Sequence, residues 1–180
     1  MKQTKKLTLS AMVVALGTVF MIIGAAVEIL DLTAVALASL LVAFVYIELG
    51  SPYTFLVWLC TSLTTFLLYS GSMMWLMYFL IFGIYPILKG YIEKLPKRLW
   101  WVIKLLFCNV MFFVLAKGTE LIFGVPFFEE TEFFGLPSMV VKALLWIVMN
   151  IMFIAYDMFI IVMIRYYDIK LRPKFAKFLK

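Results

Sequence analysis

Residues 89–104 read KGYIEKLPKRLWWVIK and interrupt two long blocks of almost unbroken apolar sequence. Lys89, Lys94, Lys97, Arg98 and Lys104 stand there against one acid, Glu93. A basic cluster flanked closely by apolar runs is retained on the cytoplasmic side of a bilayer, and tryptophans such as Trp100 and Trp101 settle at the headgroup level. Fixing that side orders the rest of the chain: four apolar segments precede the cluster and two follow it.

Working outward, the segments before the cluster cover residues 7–30, 32–49, 53–69 and 73–88, and those after it cover 100–123 and 139–164. At about 1.5 Å per residue the longer ones suffice for a hydrocarbon core of about 30 Å; the third and fourth are short for it. Residues 89–99 form the basic loop. Glu48, Gly50, Ser51 and Pro52 stop the second segment and start the third, Ser70 to Ser72 form a tight outer turn, and Gly83 with Pro86 is expected to bend the fourth. Residues 124–138 form an outer loop holding Glu129, Glu130 and Glu132 with no base, bracketed by Pro126 and Pro137. The small residues Gly24 to Ala26 raise a cleaved signal peptide as a competitor for the first segment, but the run is long for a signal core and an uncleaved helix is expected.

The fold class predicted is therefore all-α: one transmembrane domain over residues 1–180, a six-helix bundle with both termini cytoplasmic. That topology puts 14 of the 16 basic residues on the inside, and the reverse orientation violates the positive-inside rule at all three basic segments. Composition agrees, with 66% apolar and 14% charged residues against about 45–50% and about 25% in soluble domains. The net charge of +6 sits at the membrane edges, where it reads as anchoring and not as a nucleic-acid surface. No polar stretch is long enough for a separate soluble domain, so ATP hydrolysis within the chain is not expected.

Chemistry-bearing patterns are sparse. Cys60 and Cys108 lie inside apolar segments without CxxC spacing, and histidine is absent, so neither a metal site nor a cofactor is expected. HExxH and GxSxG are also absent, which ranks an intramembrane enzyme last.

Ionisable groups within membrane segments are costly and usually face a bundle interior or a watery cavity. Glu28, Asp31, Lys117, Glu120 and Lys142 are far apart in sequence, yet the topology brings all five to the outer half. Lys117 and Glu120 share a helix face. Lys142, Trp146 and Asn150 form a descending stripe at four-residue spacing, and Asn109, Phe113 and Lys117 do the same on the preceding helix. One reading is an outward pocket between the fifth and sixth helices, with Trp75 and Tyr78 as stacking surfaces and the acidic loop as its roof. The other is structural ion pairing, or lysines reaching to the headgroups. Asp157, seven residues past Asn150 and near the inner end, is expected to find a partner such as Arg165 or Lys89, and Glu48 is similarly placed. On the first helix, Ala11 and Ala15 form an AxxxA surface with Gly17 nearby, which permits close helix contact within the bundle or with another protein.

These features together resemble the substrate-binding S components of energy-coupling factor (ECF) transporters, small vitamin-uptake proteins of the bacterial and archaeal cytoplasmic membrane. The resemblance rests on about 180 residues, six helices, and the basic start followed by LTLSAMVVAL. It implies that Ala11 and Ala15 dock a transmembrane coupling subunit, that two cytoplasmic ATPases supply the energy, and that a small solute binds near the outer face. The lack of histidine departs from the nickel and cobalt members. The alternative is a non-transporting scaffold such as the MreD family of cell-shape proteins.

Overall fold

The computed structural model describes residues 3–27, 30–124 and 138–174, and among them every regular element is helical. Lys2, most of the acidic outer loop, and Phe175 and Phe178 of the basic tail lie outside the described residues. Among the described residues, six helices are long and apolar enough to cross a membrane, the pattern of a multi-pass membrane protein. They are α1 (Gln3–Ala26), α2 (Asp31–Leu49), α3 (Ser51–Leu68), α4 (Met74–Ile92), α5 (Lys97–Phe123) and α6 (Ser138–Tyr166), the last continuing into a π-helical turn, Tyr167–Leu171.

The start of α1, the α2–α3 turn and the end of α6 meet at one end of the bundle, together with the turn at residues 93–96. There the Lys6 ammonium lies 5.5 Å from the centre of the Tyr53 ring, and Arg172 pairs with Glu48 at 3.1 Å. This is called the basic end below. The tight α2–α3 turn depends on Gly50, whose φ of 84° is a left-handed conformation that a side chain would strain.

The first three helices pack closely through small residues. Ser10, Gly17 and Gly24 are seven apart, all buried, and form one seam along α1. A side chain cannot be added at Gly24, because its Cβ would stand 2.4 Å from the Cβ of Ala34 and 2.8 Å from Cε of Met74. The hydroxyls of Thr18 and Thr64, 2.8 Å apart, link α1 to α3. Lipid chains are as apolar as leucine, so such close backbone approach and hydroxyl bonding hold membrane helices together where the hydrophobic effect does not. On its other side α1 presents Leu7, Met12, Leu16 and Val19 outward, where they suit hydrocarbon.

The strut of the molecule is α4, with half of its most apolar window buried against 22% for α6. It begins as an α-helical turn, widens into a π-helical turn over Tyr78–Phe82, and resumes as α-helix at Tyr85–Ile92 with Pro86 in its first turn. Backbone carbonyls in a membrane need internal partners, and this turn finds them on both sides. The Trp58 indole donates to the Phe79 carbonyl at 3.2 Å, and the Tyr156 hydroxyl lies 3.1 Å from the Phe82 carbonyl. The same Tyr156 hydroxyl is 2.7 Å from Ser39 Oγ, whose own proton goes to the Ala36 carbonyl, so one tyrosine proton is shared between α2 and α4.

Candidate functional site

The far end of the bundle, opposite the basic end, holds most of the residues singled out by sequence. Midway along α5 and α6, Asn109 and Asn150 bond reciprocally: Asn109 Nδ2 donates to Asn150 Oδ1 at 3.0 Å and Asn150 Nδ2 donates to Asn109 Oδ1 at 3.2 Å. The Trp146 indole N–H also donates to Asn109 Oδ1, and its ring meets Phe112 edge-on with centres 4.9 Å apart. Trp146 and Asn150 thus spend their polar groups on α5 and not on an open space.

Lys117 and Lys142 each stand eight residues from this asparagine pair on antiparallel helices, so both lie about 12 Å further toward the far end. Lys117 Nζ pairs with Glu120 Oε2 at 2.8 Å on the surface, the two side chains being 65% and 52% exposed. Lys142 is exposed as well. Asp31 is partly buried in the first turn of α2, where a carboxylate suits the positive end of the helix dipole. Trp75 packs edge-on against Phe66 and donates to the Ser70 carbonyl at 3.2 Å. Tyr78 is fully buried in the core of α1, α2 and α3. Glu28 and residues 125–137 lie outside the described residues. The structure therefore brings Asn109, Trp146 and Asn150 together and Lys117 with Glu120, while Tyr78 belongs to a different part of the core.

A cavity of about 460 Å³ runs between α2, α4, α5 and α6. It starts beside Leu32 and Thr33 in the first turn of α2 and descends past Phe112 and Met149 to Phe153 and Tyr156. Its walls are almost entirely apolar. None of the charged residues picked from the sequence lines it.

Toward the basic end lies a cluster that sequence reasoning resolved only in part. Tyr85, Lys89 and Glu93 recur at four-residue spacing, which places them on one face of α4 and its C-terminal cap. Opposite them stands Asp157 of α6, 1% exposed. Its Oδ1 accepts from the Tyr85 hydroxyl at 2.6 Å and from the Lys89 ammonium, and its Oδ2 accepts from Lys104 of α5 at 2.9 Å. Glu93 touches both lysines, at 2.9 Å and 3.5 Å, and is the partner that reaches the surface. Two ammoniums and two carboxylates thus balance, with three of the four groups almost wholly buried. Arg165, the other partner expected for Asp157, is exposed. Lys89 and Lys104, expected as surface anchors, are buried at 3% because α4 continues past Leu88 and α5 begins at Lys97, which draws both into the bundle. Glu48 is satisfied separately, by Arg172 and by the Tyr167 hydroxyl at 3.0 Å.

On α1, Ala11 and Ala15 are both exposed, on a different side from the buried seam of Ser10, Gly17 and Gly24. Among the described residues, no group of three or more histidine, cysteine, aspartate or glutamate side chains is arranged to hold a metal. No protein-family model, no curated protein and no solved structure matches the chain.

Proposed function

We propose that the chain is the solute-binding membrane subunit of an ECF-type uptake transporter, facing the cytoplasm with its basic end and capturing a vitamin-like small solute from the other side. The observation that carries this reading is the division of labour on α1. The small residues that seat α1 in its own bundle are Ser10, Gly17 and Gly24, which leaves Ala11 and Ala15 as a separate small-residue surface turned outward. A surface that admits close backbone approach and is not used internally suits a partner helix. The partner in this reading is a transmembrane coupling subunit that works with two ATPases. The solute would enter from the far end, among Asp31, Trp75, Lys117, Glu120, Lys142, Trp146 and Asn150, with Glu28 and the acidic loop beside them.

A second reading, a non-transporting scaffold of the MreD kind, draws support from the same far end. The pairing of Lys117 with Glu120 and of Asn109 with Asn150 and Trp146 is what structural residues do. One experiment separates the two. The tagged protein is pulled down from gently solubilised membranes of its host, its partners are identified, and copurified small molecules are extracted for mass spectrometry. The transporter reading expects a coupling subunit, two ATPases and a stoichiometric solute, with Ala11→Trp losing the partners and keeping the solute. Recovery of cell-wall or cytoskeletal proteins with no solute would overturn it in favour of the scaffold.

A further inference from the structure

None of the described residues assigned to the solute lines the cavity of about 460 Å³ between α2, α4, α5 and α6. Five aromatic rings do, from three helices: Phe82 of α4, Phe112 of α5, and Phe153, Tyr156 and Phe159 of α6. The hydroxyls in the walls are already engaged. Thr33 Oγ1 donates to the Leu30 carbonyl at 2.7 Å, and the Tyr156 hydroxyl is spent on Ser39 and the Phe82 carbonyl. The described lining holds no cation or carboxylate, so a charged guest would give up its hydration with nothing to replace it. Phe82 reaches the wall from the π-helical turn of α4, and wide turns of this kind recur at functional sites.

We propose that this cavity binds an uncharged, ring-bearing molecule that enters from the hydrocarbon layer through the gap between α2 and α6. The cavity opens sideways there. At its rim Thr33 and Leu37 of α2 and Met152 and Ala155 of α6 are exposed, whereas Ile81 and Phe112 at the back are buried. The two helices close again toward the basic end, where Tyr156 meets Ser39. Leu37 and Met152 stand within the apolar runs of their helices, so the gap faces lipid and not water. The lining is short along the helix axes, about 6 Å on α5 and about 15 Å on α6, which makes a volume of 460 Å³ broad for its depth. A ring system has that shape and a single extended acyl chain does not, and ring-on-ring contact adds attraction beyond the area buried. The site is independent of the uptake reading, since neither Ala11 nor Ala15 nor any described charged residue of the far end lines it.

The test is photolabelling of the purified full chain in phosphatidylcholine nanodiscs with benzophenone, an uncharged two-ring probe, followed by peptide mass spectrometry. Met149 lines the cavity and is half-buried, while Met158 on the same helix is 54% exposed and lines no part of it. Labelling of Met149 saturates as benzophenone is raised, and labelling of Met158 rises in proportion. At equal concentration in the membrane, naphthalene suppresses the Met149 label, whereas its charged relative 2-naphthoate and the linear alkane hexadecane do not. Ala155→Trp closes the exposed rim and lowers the Met149 label by about tenfold, as losing most of the burial of one ring would. Val148→Trp, at an exposed position of α6 outside the lining, leaves the label unchanged and reports that the helix tolerates a surface tryptophan. The wild-type competition decides the matter without any variant. Labelling of Met149 that never saturates, suppression by 2-naphthoate or hexadecane equal to that by naphthalene, or indifference to Ala155→Trp would each overturn the proposal.

Discussion

Of the lysines on helix α5, Lys104 and Lys117 live in different physical worlds. Lys104 is buried at 3% exposure against Asp157, with Lys89, Tyr85 and Glu93 closing the network. Lys117, thirteen residues on, forms a neat ion pair of 2.8 Å with Glu120 and is two-thirds exposed. The pair distances are alike, 2.9 Å and 2.8 Å. What differs is the consequence of losing a partner, because an unpaired ammonium at the surface is rehydrated and one inside a bundle is not. Distance alone therefore says little about which charges matter here; burial decides.

The sharpest way to break the contrast is Asp157→Asn, which leaves two buried ammoniums facing a half-exposed Glu93. The expected loss is about 3–5 kcal/mol, read as a fall in thermal unfolding temperature in detergent or as failure to accumulate folded protein. Removing the whole network together, with Asp157→Leu, Lys89→Met, Lys104→Met and Glu93→Gln, is expected to recover most of that loss, since a buried ionic network is about as stable as an apolar replacement. If the single variant melts like the wild type, the cluster is not the lock that its burial implies. Next in size is Asn109→Leu, which strips α6 of the reciprocal asparagine bond and the Trp146 indole bond. Interhelical polar contacts in membranes are worth about 0.6 kcal/mol on average and up to about 1.7, so a loss of about 1–2 kcal/mol is expected by the same melt. Asn150→Asp, tested beside it, should fare worse, because it adds a charge at mid-depth. Smallest is Lys117→Gln combined with Glu120→Gln, where the change in stability should stay below about 1 kcal/mol. Under the uptake reading this double variant loses solute binding without losing stability. A large drop in melting temperature would mean that the pair is structural after all.

Much of this architecture is legible in the sequence, and the exceptions have physical causes. The six helices follow from apolar runs separated by Gly50-Ser51-Pro52, Ser70-Gly71-Ser72 and the basic loop, since a bilayer demands long uninterrupted apolar segments. The i,i+3 pairing of Lys117 with Glu120 is equally plain, being local. Asp157 with Lys89 is partly legible from depth, whereas Lys104 is not: next to Trp100 and Trp101 it has the same sequence context as a lysine reaching to the headgroups. Which state it takes depends on a carboxylate 53 residues away. The asparagine pair illustrates a missed signal. Asn109 and Asn150 sit at matching depth on neighbouring antiparallel helices, and two amides in that relation complete each other's donors and acceptors, which a search for ligand contacts passes over. On α1, seven-residue spacing of Ser10, Gly17 and Gly24 marks the inward seam, while the four-residue spacing of Ala11 and Ala15 marks another side.

The π-helical turn in α4 has a rotational consequence. Tyr78 and Tyr85 are seven residues apart, and in an unbroken helix that interval brings a side chain back to nearly the same bearing, within about 20°. Here Tyr78 is buried among α1, α2 and α3, and Tyr85 among Cys108, Phe153 and Tyr156 of α5 and α6. The wide turn between them acts as a phase shifter: the surplus backbone it stores turns the lower part of the helix so that one crossing addresses both halves of the bundle. The bearing of Tyr85 and Lys89 toward Asp157 is set there, several residues upstream of either: were the turn α-helical with all its residues kept, both would swing away from the carboxylate they hold.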